Sequence, residues 1–311
     1  MSRARPLPHP LQQRPFTVHA ARAAGVAAGR LRARDLDRPF HGVRTHGRPG
    51  TVEQLAAAFA ERMRPGHVIA GRTAAQLWGL PLDRAWRPGE PLVIGIPVGA
   101  PRTRASGTRT RAFDPDRLST GRLDGIPILG PASAVLSMAS DARHDELVML
   151  LDAIVTPSTH YPSLRLLRRP HASVPDLVAF ADSCRGIHGA PAFWAALGEV
   201  RPGADSPQET RARLALVRAG LPEPVLQLPV LDEGVLIAEI DLAYPELRIA
   251  VEYEGEHHLT DPAQWAKDIL RQERLEALGW IVIRATKRDL ADGGRRLVAR
   301  VRAAIARRSL R

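Results

Sequence analysis

The chain holds one cysteine, Cys184, in 311 residues, which excludes an intramolecular disulfide and any zinc site built on several thiolates. No stretch approaches the roughly 18 apolar residues that a membrane-crossing helix needs. Residues 1–14 are basic and proline-rich without an apolar core of signal-peptide length, so the expectation is a cytoplasmic protein that engages no membrane. Also missing are the GxxxxGK loop, the HExxH helix and the GxSxG elbow. Their absence removes NTP hydrolysis, zinc proteolysis and serine hydrolysis of the elbow type. Cys184 and His188 stand four apart, but no third residue presents itself to orient an imidazole, so the thiol reads as a small buried hydrophobe.

What the chain has is enough apolar material for proper cores, 44% of residues, and a length that suits two or three domains. It also carries 44 Lys and Arg against 33 Asp and Glu, a net charge of +11. A basic excess suits a polyanionic partner, because each phosphate contact releases counterions. Charge alone does not name the polyanion.

The stretch Glu239 to Gly255 is more specific. Two runs of alternating apolar and polar residues, Ile237 to Leu242 and Leu247 to Glu254, flank Tyr244-Pro245-Glu246, the pattern of a β-hairpin. Period-two alternation sets Glu239 and Asp241 on one face of the first strand, and Glu252 and Glu254 on one face of the second. Ala238, Ile240 and Leu242, with Leu247, Ile249, Val251 and Tyr253, form the expected apolar face. Crowded carboxylates raise one another's pKa and favour a hard cation such as Mg²⁺.

Upstream, Ser206-Pro207-x-Glu209 opens a helix that Gly220 closes. Glu209 has two readings: the acid of a capping box, or a further acid turned toward the hairpin. Downstream come a helix from Asp261-Pro262 to Gly279, a strand from Trp280 to Arg284 and a basic helix from Gly294. The order is helix, three strands, helix, strand, helix.

An aspartate, ten intervening residues and then a strand glutamate resembles the PD-(D/E)xK nuclease core. The text from Glu239 to Thr286 is similar to the DUF559 branch, related to very-short-patch-repair endonucleases. The resemblance rests on Asp241, Tyr244-Pro245-Glu246, Glu252, Gly255, His257-His258, Asp268, Arg274, Gly279-Trp280 and Arg284-Ala285-Thr286, and covers about the last third of the chain. It departs at the ExK lysine, whose place Glu254 holds. The resemblance implies an α/β (α+β) chain with a restriction-endonuclease-like αβββαβ core. It also implies Mg²⁺, or Mn²⁺, on Asp241, Glu252 and the backbone carbonyl of Tyr253, with Glu209 and Glu254 as secondary acids. His257 or His258 is the expected base or water-orienting group, and Lys267, Arg271 or Arg274 the expected phosphate-facing cation in place of the lysine.

The first part of the chain resembles the winged-helix start of AbiEi-type antitoxins. A helical turn from Ala21 to Gly25, an Arg-rich segment ending near Leu36 and a wing at Pro39-Phe40 suggest a helix-turn-helix with Arg30, Arg32 and Arg34 as DNA contacts. Ordinary solvated arginines fit the same residues. The domains expected are 1–47 (winged helix-turn-helix), 48–200 (mixed α/β, AbiEi-like) and 201–311 (nuclease-like). Within the second, Arg102 to Arg111 reads as a basic loop. The expected activity is metal-dependent DNA cleavage, in repair or in defence against phage or mobile elements; the alternative is a non-catalytic, antitoxin-like regulator whose nuclease fold has decayed. Double-stranded DNA is the expected partner, and a homodimer is left open.

Overall fold

The computed structural model describes residues 5–102, 105–158, 161, 163–166, 168–255 and 262–309, the side chains of 262–267 excepted. It is an α+β chain that divides into two compact units. The first comprises Met1–Leu147, Ser163–Arg165 and Leu177–Ala195; the second comprises Val148–Pro162, Leu166–Asp176 and Ala196–Arg311.

The first unit begins with β1 (Phe16–Thr17), α1 (Val18–Ala23), β2 (Leu36–Asp37) and β3 (Val43–His46), the strands lying antiparallel in the order β1-β3-β2. Thr17 caps α1, its hydroxyl accepting from the Ala20 N–H at 3.0 Å. Where a second helix was expected there is a single 3₁₀ turn, Arg30–Arg32. Its preceding residue is Gly29, with no side chain to cap it, and three residues satisfy too few backbone bonds to propagate. The turn is held by Leu31, which buries with Leu7, Leu11, Phe16, Ala21, Val26 and Leu36.

Next come α2 (Val52–Ala60), β4 (Val68–Ile69), α3 (Gly71–Leu77), β5 (Leu92–Pro97), β6 (Thr108–Phe113), β7 (Thr120–Leu123), β8 (Ile126–Leu129) and α4 (Pro131–Met138). The strands form a mixed sheet of order β6-β5-β4-β8-β7. The basic segment expected as a loop is in part this edge strand: Arg109 and Arg111 lie on β6, parallel to β5. Thr-Arg-Thr-Arg alternates β-branched and charged residues, a composition that an edge tolerates. Then follow α5 (His144–Val155), which the division crosses after Leu147, α6 (Val174–Ser183) and α7 (Ala190–Leu197). Cys184 is fully buried just past α6.

The second unit continues with α8 (Pro207–Arg218), β9 (Val225–Asp232), β10 (Val235–Tyr244), β11 (Ile249–Tyr253), α9 (Pro262–Ala277), β12 (Ile281–Ala285) and α10 (Arg295–Ser309). The sheet order is β12-β11-β10-β9: β9, β10 and β11 are an antiparallel meander, and β12 returns parallel to β11 through α9. Helices α8 and α10 pack through Ala212, Leu216, Leu297 and Val301 on Leu242, Ile249 and Val251. Across the sheet, Leu275 of α9 packs with Val230, Ala238, Ile240 and Ala250. Gly294 permits close packing, since a Cβ there would lie 2.5 Å from that of Ala215. Ile240, Leu242, Ile249 and Val251 are all 0% exposed, each burial contributing about 1.5–3 kcal/mol.

Helices on both faces change the expected hairpin. Ala238 and Ile240 do not share a face with Leu242: the first two pack toward α9, Leu242 toward α8 and α10. Leu228 and Leu226 on β9 divide the same way. Both strands therefore rotate together between the pairs Ile240↔Leu228 and Leu242↔Leu226, where Gln227 takes φ 47° and Asp241 sits.

Candidate functional site

Asp241 stands where two strands part. β10 and β11 pair from Tyr244↔Ile249 to Leu242↔Val251 and no further. Beyond that point the N–H of Tyr253 donates to Asp241 Oδ2 at 2.8 Å, so a carboxylate takes the place of a ladder carbonyl. Glu252, 4% exposed, accepts from Arg271 of α9, Nη2 to Oε2 at 2.6 Å. Its other oxygen, Oε1, is buried with no hydrogen-bond partner among the described residues. Buried polar atoms are almost always satisfied, so an orphaned carboxylate oxygen points to a group that completes it.

Glu209 reaches the same place from the first turn of α8. Ser206 caps the helix, its Oγ accepting from the Glu209 N–H at 3.2 Å. The return arm of the box lands one residue earlier than expected: Glu209 Oε2 accepts from the Asp205 N–H at 2.8 Å, and also from Gln227 Nε2 at 2.9 Å. Glu209 thus caps its helix and faces the carboxylates as well.

Burial pushes the Glu209 carboxyl up to about 8, the charge of Asp241 being the next cause. Burial likewise raises Asp241 to about 7; the Tyr253 N–H and Arg271 oppose the rise and Glu252 adds to it. Glu252 is also raised by burial, against Arg271 and Arg284. Such acids do not all ionise independently near neutral pH and titrate as a group.

The other expected site residues are placed more simply. Glu254, expected in the place of the motif lysine, pairs with Arg284 Nη1 at 3.2 Å. Tyr253, whose carbonyl was the expected third oxygen, ends β11. Arg274 is exposed on α9. His257, His258 and the side chain of Lys267 lie outside the described residues. In the first unit, Arg30 is engaged internally, forking onto Asp35 at 2.9 and 2.7 Å and donating to the Arg5 carbonyl, whereas Arg32 and Arg34 are exposed. Among the described residues no group of three or more His, Cys, Asp or Glu is arranged to hold a metal ion. The fit rests instead on two carboxylates and the orphaned Oε1 of Glu252, a hard-oxygen donor set suited to Mg²⁺ or Mn²⁺.

Three neighbours were not singled out from the sequence. Gln227 ties Glu209 to β9, and a glutamine amid Val225, Leu226 and Leu228 was a signal available for it. Asp205 supplies the amide that Glu209 caps. Tyr161, 2% exposed, has a hydroxyl without a partner among the described residues, its pKa pushed up by burial and the charges of Asp152, Glu209 and Asp205. No local pattern could have placed it there.

A second buried acid, on α5, is held by residues farther along α8. Asp152 accepts from the Arg201 N–H at 2.8 Å, Thr210 Oγ1 at 2.9 Å and Arg213 Nη2 at 3.1 Å. Arg213, 1% exposed, also binds Glu223 at 2.8 Å and the Glu199 carbonyl at 2.7 Å. Burial raises Asp152 to about 6 against the pull of these partners.

No family model matches the chain. It is 29% identical over 282 residues to an uncharacterized protein, Rv2248, of Mycobacterium tuberculosis strain H37Rv, across 86% of this chain and 91% of that protein. The same figures hold for the uncharacterized protein MT2308 of strain CDC 1551. Among solved structures, the RV2827C protein of M. tuberculosis is similar over 72% of this chain and 86% of its own, with a TM-score of 0.37 and 17% identity.

Proposed function

We propose that the second unit is a metal-dependent endonuclease core of the PD-(D/E)xK type that cleaves phosphodiesters in double-stranded DNA. The observation that carries the reading is the meeting of Glu209, Asp241 and Glu252 at a strand fork, with Glu252 Oε1 buried and without a partner among the described residues. The αβββαβ order and the net charge of +11 support it.

In this reading Asp241 and Glu252 hold the ion, with Glu209 and the Tyr253 carbonyl in reserve. A divalent ion bound there would acidify a water and neutralise charge on the phosphate. Arg271, already on Glu252, replaces the missing lysine as the phosphate-facing cation. Glu254 is spent on Arg284 and serves to orient β12 against β11. Arg32 and Arg34 contact the DNA backbone.

Cleavage of supercoiled plasmid and mismatched duplex with Mg²⁺, Mn²⁺ or EDTA tests the proposal. Metal-dependent cutting is expected, lost at least about 100-fold in Asp241→Asn and Glu252→Gln, with DNA binding retained. A wild-type protein that binds DNA and never cuts with either metal leaves the second reading, a non-catalytic regulator. That reading is favoured by the acid at the lysine position and by Arg271, whose guanidinium already neutralises Glu252.

A further inference from the structure

The first unit holds a cavity of about 630 Å³, within the range of small-ligand pockets, that shares no residue with the carboxylate cluster. Its walls come from α3 (Arg72, Gln76), the segment before β5 (Trp86), β6 (Arg109, Arg111) and the residue before α5 (Arg143).

The pocket is braced from within. Glu146, 3% exposed, accepts from Arg72 Nη1 at 2.7 Å and from the Asp83 N–H at 3.0 Å, tying α3 and the segment before β5 to α5. Trp86 Nε1 donates to the Glu90 carbonyl at 3.3 Å and Arg84 pairs with Glu90, so that segment closes on itself and holds the indole half-buried. Arg111 pairs with Asp141. Arg109, two residues earlier and so on the same face of β6, is exposed and has no acidic partner among the described residues.

The lining contains five arginines (72, 84, 109, 111, 143) and four carboxylates (83, 90, 141, 146), which leaves one positive charge uncompensated. A planar guanidinium pair on a strand edge matches the oxygens of a phosphate, and a fixed indole offers a stacking face to an aromatic ring. We infer that this cavity binds a nucleoside monophosphate, its phosphate on Arg109 and Arg111 and its base against Trp86. The inference is independent of the nuclease reading.

The test is calorimetric titration of the full chain with the ribo- and deoxyribonucleoside monophosphates, beside inorganic phosphate and adenosine. At least one monophosphate should saturate one site and bind about tenfold or more tightly than either half-ligand. Arg109→Ala and Trp86→Ala should each weaken it about tenfold. Arg109→Ala is the decisive variant, since an exposed side chain with no acidic partner among the described residues leaves folding intact, to be checked by an unchanged thermal melt. Saturation by no monophosphate at millimolar concentration, binding of inorganic phosphate equally well, binding of polynucleotide alone, or indifference to Arg109→Ala overturns the inference.

Discussion

On one turn of α8, Thr210 and Arg213 close around Asp152; at the start of the same helix, Glu209 joins Asp241 and Glu252, and their cations fall short. Both acidic systems are buried in the second unit, and both carry raised pKa values. Asp152 nevertheless has three hydrogen-bond donors, among them a guanidinium that is itself buried. The cluster has like charges side by side and an oxygen with no partner among the described residues. A satisfied buried acid positions helices. A buried acid with an oxygen left over is only partly compensated by its fold, which is what motivates the proposed site.

Removing a partner from the satisfied system should have the largest effect. Arg213→Ala leaves Asp152 buried without its counter-charge and should cost about 3–5 kcal/mol in urea denaturation. A loss below about 1 kcal/mol would mean that the two systems are not different in kind.

The carboxylate cluster, as the proposed metal site, should respond to a divalent ion. With Mg²⁺ at about 100 times its dissociation constant, stability should rise by about 2.7 kcal/mol in the wild type and not in Asp241→Asn. Equal shifts in both proteins place the ion elsewhere.

The third effect is pH dependence. Burial pushes the coupled Glu209 and Asp241 carboxyls up to about 8 and about 7, against about 4.3 and 3.9 unfolded, so as a pair they hold more protons in the folded state between those limits. Stability therefore falls as pH rises through this window. Asp152 contributes with the same sign only up to about 6, so the interval from about pH 6.5 to 8 belongs to the cluster. A loss of about 1–2 kcal/mol is expected there, reduced by Glu209→Gln; a flat profile contradicts the raised values.

The smallest effect separates Glu209's two roles. Ser206→Ala should cost about 1 kcal/mol through the lost cap while leaving the slope above pH 6.5 unchanged. A changed slope would show that the cap and the cluster are coupled.

Legibility in the sequence followed the range of the interactions. The Ser206 cap, Gly220 at φ 78° and the strand Leu92–Pro97 were readable because each depends on neighbours a few residues away. Arg30–Arg32 was over-read, since Ala, Gly and Arg imitate a helix whose length only packing limits. Arg109 and Arg111 were under-read as loop, because edge pairing with β5 is decided at a distance. In the site, Asp241, Glu252 and Glu209 were identifiable by residue type and spacing. The rotation of both strands at Gln227 and Asp241 was not, since period-two alternation assumes one buried face and this sheet has two.

By itself, then, the sequence determined the succession of helices and strands, the basic balance and the acids of the hairpin, all properties of local pattern and composition. Only the tertiary structure decided that Glu209 joins Asp241, that Arg271 pairs with Glu252, and that Asp152 finds Arg213. Each of these joins elements far apart in the chain, and burial, which sets their charge states, exists only once the elements have packed.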